Sequence, residues 1–263
     1  MTILEKIITD KKIEIELKKK YFPASFLKSS PFFNHKTNSL VKKLKESKFG
    51  IIAEHKRQSP SKESINSFSS IINVTKGYEN AGVSGISVLT DKKYFGGSLE
   101  DLNLSRASTT IPLLRKEFII DKYQIIESKA NGADAILLIA SVLSRKEIKQ
   151  FSLLAKEYGI EVVLEVHNQI ELEKSLMPSI DIIGVNNRNL KTFNVNLDNS
   201  RRLSEYIPKE FLKISESGID NSESIINLRS YGYDGFLIGE KFMKTKNPGE
   251  TALNFIKRIE NEA

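Results

Sequence analysis

The feature that most constrains this 263-residue chain is a recurrence of short apolar runs separated by helical segments. Each run is too short for a typical helix and is bounded by Gly, Pro, Asp or Ser, which favours a strand. The runs are almost continuously apolar, as expected of parallel strands that are covered on both faces. The runs are residues 49–56, 85–91, 111–118, 133–141, 160–167, 180–189, 211–219 and 235–239.

Helical patterns fill the intervals, for example at residues 69–81, 121–130, 144–158 and 222–231. Three runs share a related beginning, AGVSGISVL, NGADAILLI and YGYDGFLIG, in which a Gly falls where a helix C-cap is expected. This alternation of strand and helix predicts an α/β protein, a (β/α)8 TIM barrel. An open doubly wound sheet is the alternative, but no GxGxxG motif opens the first helix.

The composition argues against several classes of protein. The chain has no cysteine, which excludes disulfides and thiolate metal sites and favours a cytoplasmic location. No stretch resembles a signal peptide or approaches the roughly 20 apolar residues of a membrane helix. The net charge of +7 comes from lysines scattered along the chain, so we expect neither nucleic acid nor a membrane as partner. His35, His55 and His167 lack metal-ligand spacing, so no metal is expected.

Polar residues fall at the C-terminal ends of many of the predicted strands, where the active sites of such barrels lie. Several are two positions apart and therefore point to the same face of their strand. Each one alone fits a structural ion pair or a solvated strand exit, but their repetition at one end of the barrel favours an active site. These residues are Glu54, Lys56, Lys116, Glu165, Asn186, Arg188, Glu216 and Ser217.

The last two runs add a second signal, because SESGI (215–219) and LIGEKF (237–242) each place a Gly just past an apolar strand. In many barrels the loops after strands 7 and 8 bind phosphate through backbone N–H groups. A single Gly also fits an ordinary strand-to-helix turn, whereas two at the expected strands favour a phosphate site. The residues thus predict a cofactor-free enzyme that uses Lys and Glu as acid–base groups on a phosphorylated substrate.

The chain also carries, in order, the motifs AEHKRQSPSK, LTDKKYFGGSLEDL, PLLRKEFIID, VVLEVH, IGVNNRNLKTF, ISESGI and FLIGEKFM. Together they closely resemble the indole-3-glycerol phosphate synthases of tryptophan biosynthesis, over about residues 49–245. The resemblance implies an N-terminal helical extension over residues 1–48 and a barrel catalytic domain over 49–263, in a single domain overall. We expect the extension to form one or two helices that cover the barrel mouth.

The resemblance implies a reaction without a cofactor. The substrate, 1-(2-carboxyphenylamino)-1-deoxyribulose 5-phosphate, closes to indole-3-glycerol phosphate and loses CO2 and water. By resemblance, Lys116 is the general acid, and Glu165 transfers a proton in the dehydration. Lys56 would hold the substrate carboxylate, and Glu54 would orient Lys56 and stabilise cationic intermediates. We expect neighbouring cations and partial desolvation to lower the pKa of Lys116.

The resemblance assigns roles to further positions. Asn186, counted with the catalytic residues, would fix Glu165 and the anthranilate part of the substrate together with Arg188. For the aromatic side chains, simple barrel packing is the alternative to a substrate contact. The substrate-binding set is Ser59, Phe95, Phe118, Arg188, Glu216, Ser217 and Leu237. The phosphate-binding set is Gly218, Gly239 and Glu240.

Some residues depart from the family pattern, and two other functions are alternatives. Glu63 stands where the family commonly has Gly, and Ala53 and His55 also differ. A phosphoribosylanthranilate isomerase would need a Cys base, which this chain lacks. A degenerate barrel acting in protein or nucleic-acid binding would have lost the strand-end residues, which are all present. We expect a monomer, and weak association with other tryptophan-pathway enzymes stays open.

Overall fold

The computed structural model describes residues 2–190 and 192–263. Its parallel strands pair in sequence order and close into an eight-stranded barrel, which confirms the (β/α)8 prediction. Each strand lies within one of the predicted apolar runs. The strands are β1 (Ile51–His55), β2 (Gly85–Leu89), β3 (Leu113–Lys116), β4 (Ala135–Ile139), β5 (Glu161–Val166), β6 (Ile182–Asn186), β7 (Leu212–Glu216) and β8 (Gly235–Ile238).

Helices alternate with the strands, and an N-terminal group precedes them. Gly82, Gly132 and Gly232 have φ angles of +77°, +81° and +81° directly after helices, which confirms the predicted helix ends. No helix of the described residues is long and apolar enough to cross a membrane. The helices are α1 (Ile3–Tyr21), α2 (Ala24–Leu27), α3 (Leu40–Glu46), α4 (Ile71–Asn80), α5 (Lys92–Phe95), α6 (Leu99–Ser108), α7 (Lys122–Ala130), α8 (Arg145–Glu157), α9 (Gln169–Ser175), α10 (Asp198–Ser204), α11 (Ser222–Ser230), α12 (Glu240–Met243) and α13 (Pro248–Glu262).

The alternation of strand side chains divides the core into two parts. One apolar cluster lies between the strands and the surrounding helices, and a smaller one fills the barrel interior. Four apolar residues of the inner cluster are each followed, two positions later, by a charged side chain on the same face. The pairs are Ile52 and Glu54, Leu114 and Lys116, Val163 and Glu165, and Ile214 and Glu216. The barrel therefore carries a layer of charges directly above its apolar filling.

Helix α1 lies over the C-terminal end of the barrel and is fixed there by a buried lysine. Lys11 is only 2% exposed, and its Nζ lies 2.9 Å from Asp91 Oδ2 and 3.2 Å from Glu117 Oε1. These carboxylates lie just after β2 and β3. Burial opposes the charge on Lys11, but the two carboxylates outweigh it and raise the pKa of the amine. An ionised lysine thus holds α1 on the barrel.

Helix α3 closes the opposite end of the barrel, a position that the sequence did not indicate. Leu40 and Leu44 of α3 join the inner apolar cluster. The backbone N–H of Val41 donates to Glu161 Oε2 (2.9 Å), at the first residue of β5. Gly85 at the start of β2 leaves room for this plug, because a Cβ there would lie 2.6 Å from Leu40 Cδ1. The extension therefore contributes to both ends of the barrel.

His55 at the end of β1 makes the stability of the fold depend on pH. The side chain is 1% exposed, and burial together with the guanidinium of Arg57 lowers the pKa of His55 to about 4. In the unfolded chain the pKa is near 6.5. A lowered folded-state pKa means that the contribution of His55 is fully present above pH 6.5 and is lost as the pH falls toward 4.

We therefore expect a His55→Gln variant to depend less on pH in this range than the wild type. The wild type should lose up to about 3 kcal/mol more of its free energy of unfolding between pH 7 and pH 4. Urea denaturation at a series of pH values measures this difference. Parallel curves for the two proteins would contradict the assignment to His55.

Candidate active site

A cavity of about 390 Å³ lies at the C-terminal ends of the strands, beneath α1. Every site residue predicted from the sequence lines it, although the roles of these residues stay predictions. The strand ends contribute Glu54, Lys116, Glu165, Asn186, Glu216 and Leu237. The segments after the strands and α5 contribute Lys56, Ser59, Phe95, Phe118, Arg188, Ser217, Gly218, Gly239 and Glu240.

Lys116 lies at the centre of the charged layer. Its Nζ donates to Glu165 Oε2 at 3.2 Å and makes a shorter contact with Glu216 Oε2. Burial disfavours the ammonium, but the carboxylates of Glu216 and Glu165 outweigh this effect and raise the pKa of Lys116. The expectation of a lowered pKa was therefore wrong, because the neighbours of this lysine are carboxylates and not cations. Lys116 therefore holds its proton firmly.

Glu216 is the carboxylate in this layer that exchanges a proton near neutral pH. Its side chain is buried, and this burial, with the nearby charge of Glu165, raises the pKa of Glu216 to about 7, although Lys116 opposes the shift. Gly184 on β6 leaves room for the carboxylate of Glu216, since a Cβ at Gly184 would lie 2.5 Å from Glu216 Oε1. Glu216 can therefore serve as a local proton store for Lys116.

The spacing of Glu54 and Lys56 predicted a shared face, and the structure confirms it. Lys56 Nζ lies 2.6 Å from Glu54 Oε1. Burial raises the pKa of Glu54, but Lys56 and Lys116 outweigh it, so the carboxyl titrates below its usual range. The side chain of Lys56 is 20% exposed and faces the cavity. The pair therefore presents an ammonium whose position is set by a buried carboxylate.

Glu165 is held by groups from three strand ends. Burial raises its pKa, whereas Lys116, His167 and a hydrogen bond from Asn186 together lower it below the usual value. The Asn186 amide oxygen accepts from the backbone N–H of Arg188 at 2.9 Å. Arg188 Nη1 donates to the carbonyl of Phe193 at 3.0 Å, which ties the loop after β6 together. Glu165 is thus ionised and fixed in direction.

The cavity has an apolar side formed by two aromatic rings. Phe95 from α5 and Phe118 from the loop after β3 stand with their ring centroids 6.0 Å apart and their planes tilted by 40°. Ile3, Leu4 and Ile7 of α1 also line the cavity. Flat aromatic groups pack well in such a setting. One part of the cavity therefore suits the aromatic portion of a ligand.

Two turns after β7 and β8 approach the cavity from another side. Ser217 and Gly218 have φ angles of +69° and +78°, so the chain reverses sharply as it leaves β7. Gly239 caps the start of the short helix α12. Lys62, from the loop after β1, forms an ion pair with Glu240 next to this turn. Backbone N–H groups and lysine side chains together make this edge attractive to an anion.

The sequence did not identify every residue of this region. Among the unpredicted cavity residues are Ile3, Leu4 and Ile7, whose helical spacing in the extension could have indicated a buried face. His167, which lies next to a cavity residue, was also missed; its Nε2 lies 3.4 Å from Glu165 Oε1. His167 follows Glu165 at the same two-residue spacing that identified Lys56 from Glu54. Among the described residues no group of His, Asp and Glu side chains is arranged to hold a metal ion.

Comparison with known proteins agrees with this geometry. The family model for indole-3-glycerol phosphate synthase matches residues 4–255. The chain belongs to the indole-3-glycerol phosphate synthase family. The Bacteroides thetaiotaomicron synthase is 43% identical over 258 residues, which are 98% of this chain and 99% of that protein. The Caldanaerobacter subterraneus synthase is 45% identical over 244 residues, 92% of this chain and 93% of that protein.

Two solved structures with a similar fold are more distant in sequence from this synthase-family chain. The 3-hexulose-6-phosphate synthase from Salmonella typhimurium has a TM-score of 0.63 at 13% identity, over 82% of this chain and all of that one. The tryptophan synthase subunit alpha from Legionella pneumophila has a TM-score of 0.61 at 12% identity, over 84% of this chain and 97% of that one. At this identity the likeness shows a shared barrel fold.

Proposed function

We propose that the cavity converts 1-(2-carboxyphenylamino)-1-deoxyribulose 5-phosphate to indole-3-glycerol phosphate. As a member of the indole-3-glycerol phosphate synthase family, the chain is a carboxy-lyase of tryptophan biosynthesis. The observation that carries the residue assignments is the position of Lys116. Its ammonium lies between Glu165 and Glu216 at the floor of a cavity that has an aromatic side and an anion-attracting edge.

The two ends of the substrate match two parts of the cavity. The anthranilate ring would pack against Phe95 and Phe118, and its carboxylate would pair with Lys56. Leu237 and Ser59 lie at the cavity wall, where they would contact the rest of the substrate. A substrate held at both ends places its ring carbon near its ketone, which lowers the entropic cost of ring closure.

The phosphate would bind at the turns after β7 and β8. Backbone N–H groups of Gly218, Gly239 and Glu240 would donate to it, with Ser217 beside them. Lys62 would add a positive charge at the same edge, where it now pairs with Glu240. This arrangement agrees with the use of the corresponding loops for phosphate in many barrels.

Ring closure would begin when the ring carbon that bears the carboxylate attacks the ketone carbon. A carbon–carbon bond forms, and the carbonyl electrons move to the oxygen, which Lys116 protonates. An alkoxide is more basic than an amine, so an ammonium with a raised pKa can still give it a proton. The ring becomes cationic at this point, and Glu54 would stabilise that charge.

Aromaticity returns in two steps. The carboxylate leaves as CO2, and its bonding electrons restore the benzene ring. Glu216, which carries a proton part of the time near pH 7, would reprotonate the Lys116 amine that it contacts. Lys116 then protonates the departing hydroxyl, which leaves as water, and Glu165 takes the proton lost from the neighbouring carbon. The reaction consumes one proton overall and needs no cofactor.

We further propose that the chain comprises an extension over residues 1–48 and a catalytic barrel over residues 49–263, within a single domain overall. All the residues that the mechanism uses lie in one chain, so a monomer suffices, and weak association with other pathway enzymes is compatible with it. The phosphorylated substrate is charged and stays inside the cell, which agrees with a cytoplasmic enzyme.

A growth assay tests the proposed function. In a bacterial strain that lacks indole-3-glycerol phosphate synthase, this chain should restore growth without tryptophan. Glu165→Gln should fail, since the amide cannot take a proton, whereas the exposed Glu157→Gln on α8 should grow like the wild type. Failure of well-expressed wild type would overturn the function. Equal growth of Glu165→Gln would overturn only the role of Glu165.

A further inference from the structure

His167 lies between two carboxylates, those of Glu165 in the cavity and Glu171 in α9. It follows β5 two positions after Glu165, and its side chain is 11% exposed. Its Nε2 lies 3.4 Å from Glu165 Oε1, and its Nδ1 lies 3.1 Å from Glu171 Oε2 in the first turn of α9. The imidazole therefore connects the cavity carboxylate of Glu165 to a second carboxylate outside the cavity lining.

Glu171 is itself held in place, which fixes the orientation of the imidazole. Its carboxylate accepts from the backbone N–H of His167 at 2.8 Å and from Asn168 Nδ2 at 2.8 Å. With two such donors Glu171 stays ionised, and the ring directs Nδ1–H toward it. The other ring nitrogen, Nε2, is buried and has no hydrogen-bond partner among the described residues. This nitrogen faces the carboxylate of Glu165.

The charged groups around the imidazole favour its protonated form. Burial lowers the pKa of His167, but Glu171, Glu165 and, from β7, Glu216 outweigh it and move the pKa above its usual value. The contact from α10 is neutral, because Asn199 Nδ2 donates to the His167 carbonyl. The groups that face Glu165 from the other strands are Lys116 of β3, Asn186 of β6, Glu216 of β7 and Glu54 of β1.

This arrangement gives Glu165 two cations on different sides. Lys116 is the first, but in the proposed mechanism it becomes a neutral amine when it protonates the carbonyl oxygen. A buried carboxylate that loses its counter-charge takes up a proton readily and stops being a base. His167 takes no part in this proton transfer, so its charge remains beside Glu165.

We propose that His167, held by Glu171, is a positioning residue that keeps the Glu165 carboxylate ionised and oriented throughout the reaction. The inference rests on the proposed role of Glu165 as the proton-transfer group. The segment from β5 to α9 would thus help to position Glu165, since α9 supplies the carboxylate that orients the imidazole of His167.

The pH profile of kcat/KM tests this role. Removal of the cation in His167→Gln raises the pKa of Glu165, so the acid limb of the profile should move up by about one pH unit. Because Glu165 titrates below its usual range in the wild type, activity should fall up to about tenfold at pH values on the wild-type acid limb, with a much smaller loss near pH 8.5. His167→Lys restores a positive charge at this position and should return the acid limb most of the way to its wild-type position.

Glu171→Gln provides a matched variant that leaves the imidazole in place. It should move the acid limb in the same direction by a smaller amount, because the imidazole loses the carboxylate that favours its charge. The double variant His167→Gln/Glu171→Gln should match His167→Gln alone, since both changes act through one group. If circular dichroism shows that His167→Gln does not fold, the pH profile of Glu171→Gln tests the proposal instead.

An unchanged acid limb in the folded variants would overturn the proposal, as would an equal loss of activity at every pH. Additive shifts in the double variant would also contradict it, because they would mean that the two residues act independently. The proposed function fails in a different way, namely when well-folded wild-type protein forms no indole product from the substrate. The two failures are therefore distinguishable.

Discussion

The Lys116→Met variant is expected to lose kcat by a factor of about 10² to 10⁴. Methionine fills a similar volume but has no proton to give to the carbonyl oxygen. It also leaves Glu165 and Glu216 buried without the ammonium that both contact. These carboxylates would then share protons, which removes the base as well as the acid. Initial rates of indole fluorescence on the anthranilate-derived substrate measure the loss.

Two further variants separate proton donation from charge. Lys116→Arg keeps a positive charge, but a guanidinium does not give up its proton in a protein, so it should also lose most of the activity. The exposed Lys209→Met should act like the wild type. Activity of Lys116→Met within about threefold of wild type would contradict the general-acid role, for which a loss of at least a hundredfold is expected. Full activity in Lys116→Arg alone would show that Lys116 acts through its positive charge and not as a proton donor.

The Lys11→Met variant is expected to lose about 3–5 kcal/mol of free energy of unfolding. Lys11 is buried with Asp91 and Glu117, and its loss leaves both carboxylates without their nearest cation. Because this lysine holds α1 on the barrel, Leu4 and Ile7 should also leave the cavity wall. The remaining activity should therefore show a raised KM.

Urea denaturation followed by circular dichroism measures this stability effect. The adjacent Lys12→Met is the matched control, since Lys12 is exposed and its replacement should change stability by less than about 0.5 kcal/mol. Equal stability of the two variants would show that the buried ion pairs of Lys11 do not anchor α1. An unchanged KM in a destabilised Lys11→Met would show that Lys11 stabilises the position of α1 without affecting substrate binding at the cavity wall.

The barrel and the positions of its charges were predictable because both depend on local patterns. Apolar runs bounded by Gly or Ser specify where strands lie, and the two-residue period specifies the face of each side chain. Ile52 and Glu54, or Leu114 and Lys116, share a face whatever lies across the barrel. Once the strands closed in sequence order, the predicted residues therefore had to meet at one end.

The electrostatic details were not predictable, because they depend on which strand ends meet across the barrel. The pKa of Lys116 was expected to be lowered, but β5 and β7 bring Glu165 and Glu216 against it. Such contacts follow from the tilt and stagger of the strands, which no local pattern encodes. The place of His167 in the site was missed for the same reason, since its importance comes from two carboxylates on either side.

The extension was the least predictable part of the fold. Its sequence indicated helices, but their destination depends on complementary surfaces elsewhere in the chain. Helix α3 enters the barrel floor because the small Gly85 leaves space for Leu40 and because Glu161 accepts from the backbone of Val41. Neither feature lies within the extension itself. A sequence pattern therefore predicted the helices of this segment and missed one of the two ends that they cover.

The most direct test of the account is turnover by the purified wild-type protein. We would supply 1-(2-carboxyphenylamino)-1-deoxyribulose 5-phosphate and follow indole fluorescence together with the release of CO2. We expect a fluorescent indole product with one CO2 released for each substrate consumed, without any added metal or cofactor. Folded protein that forms no indole product, or that releases CO2 without closing the ring, would contradict it.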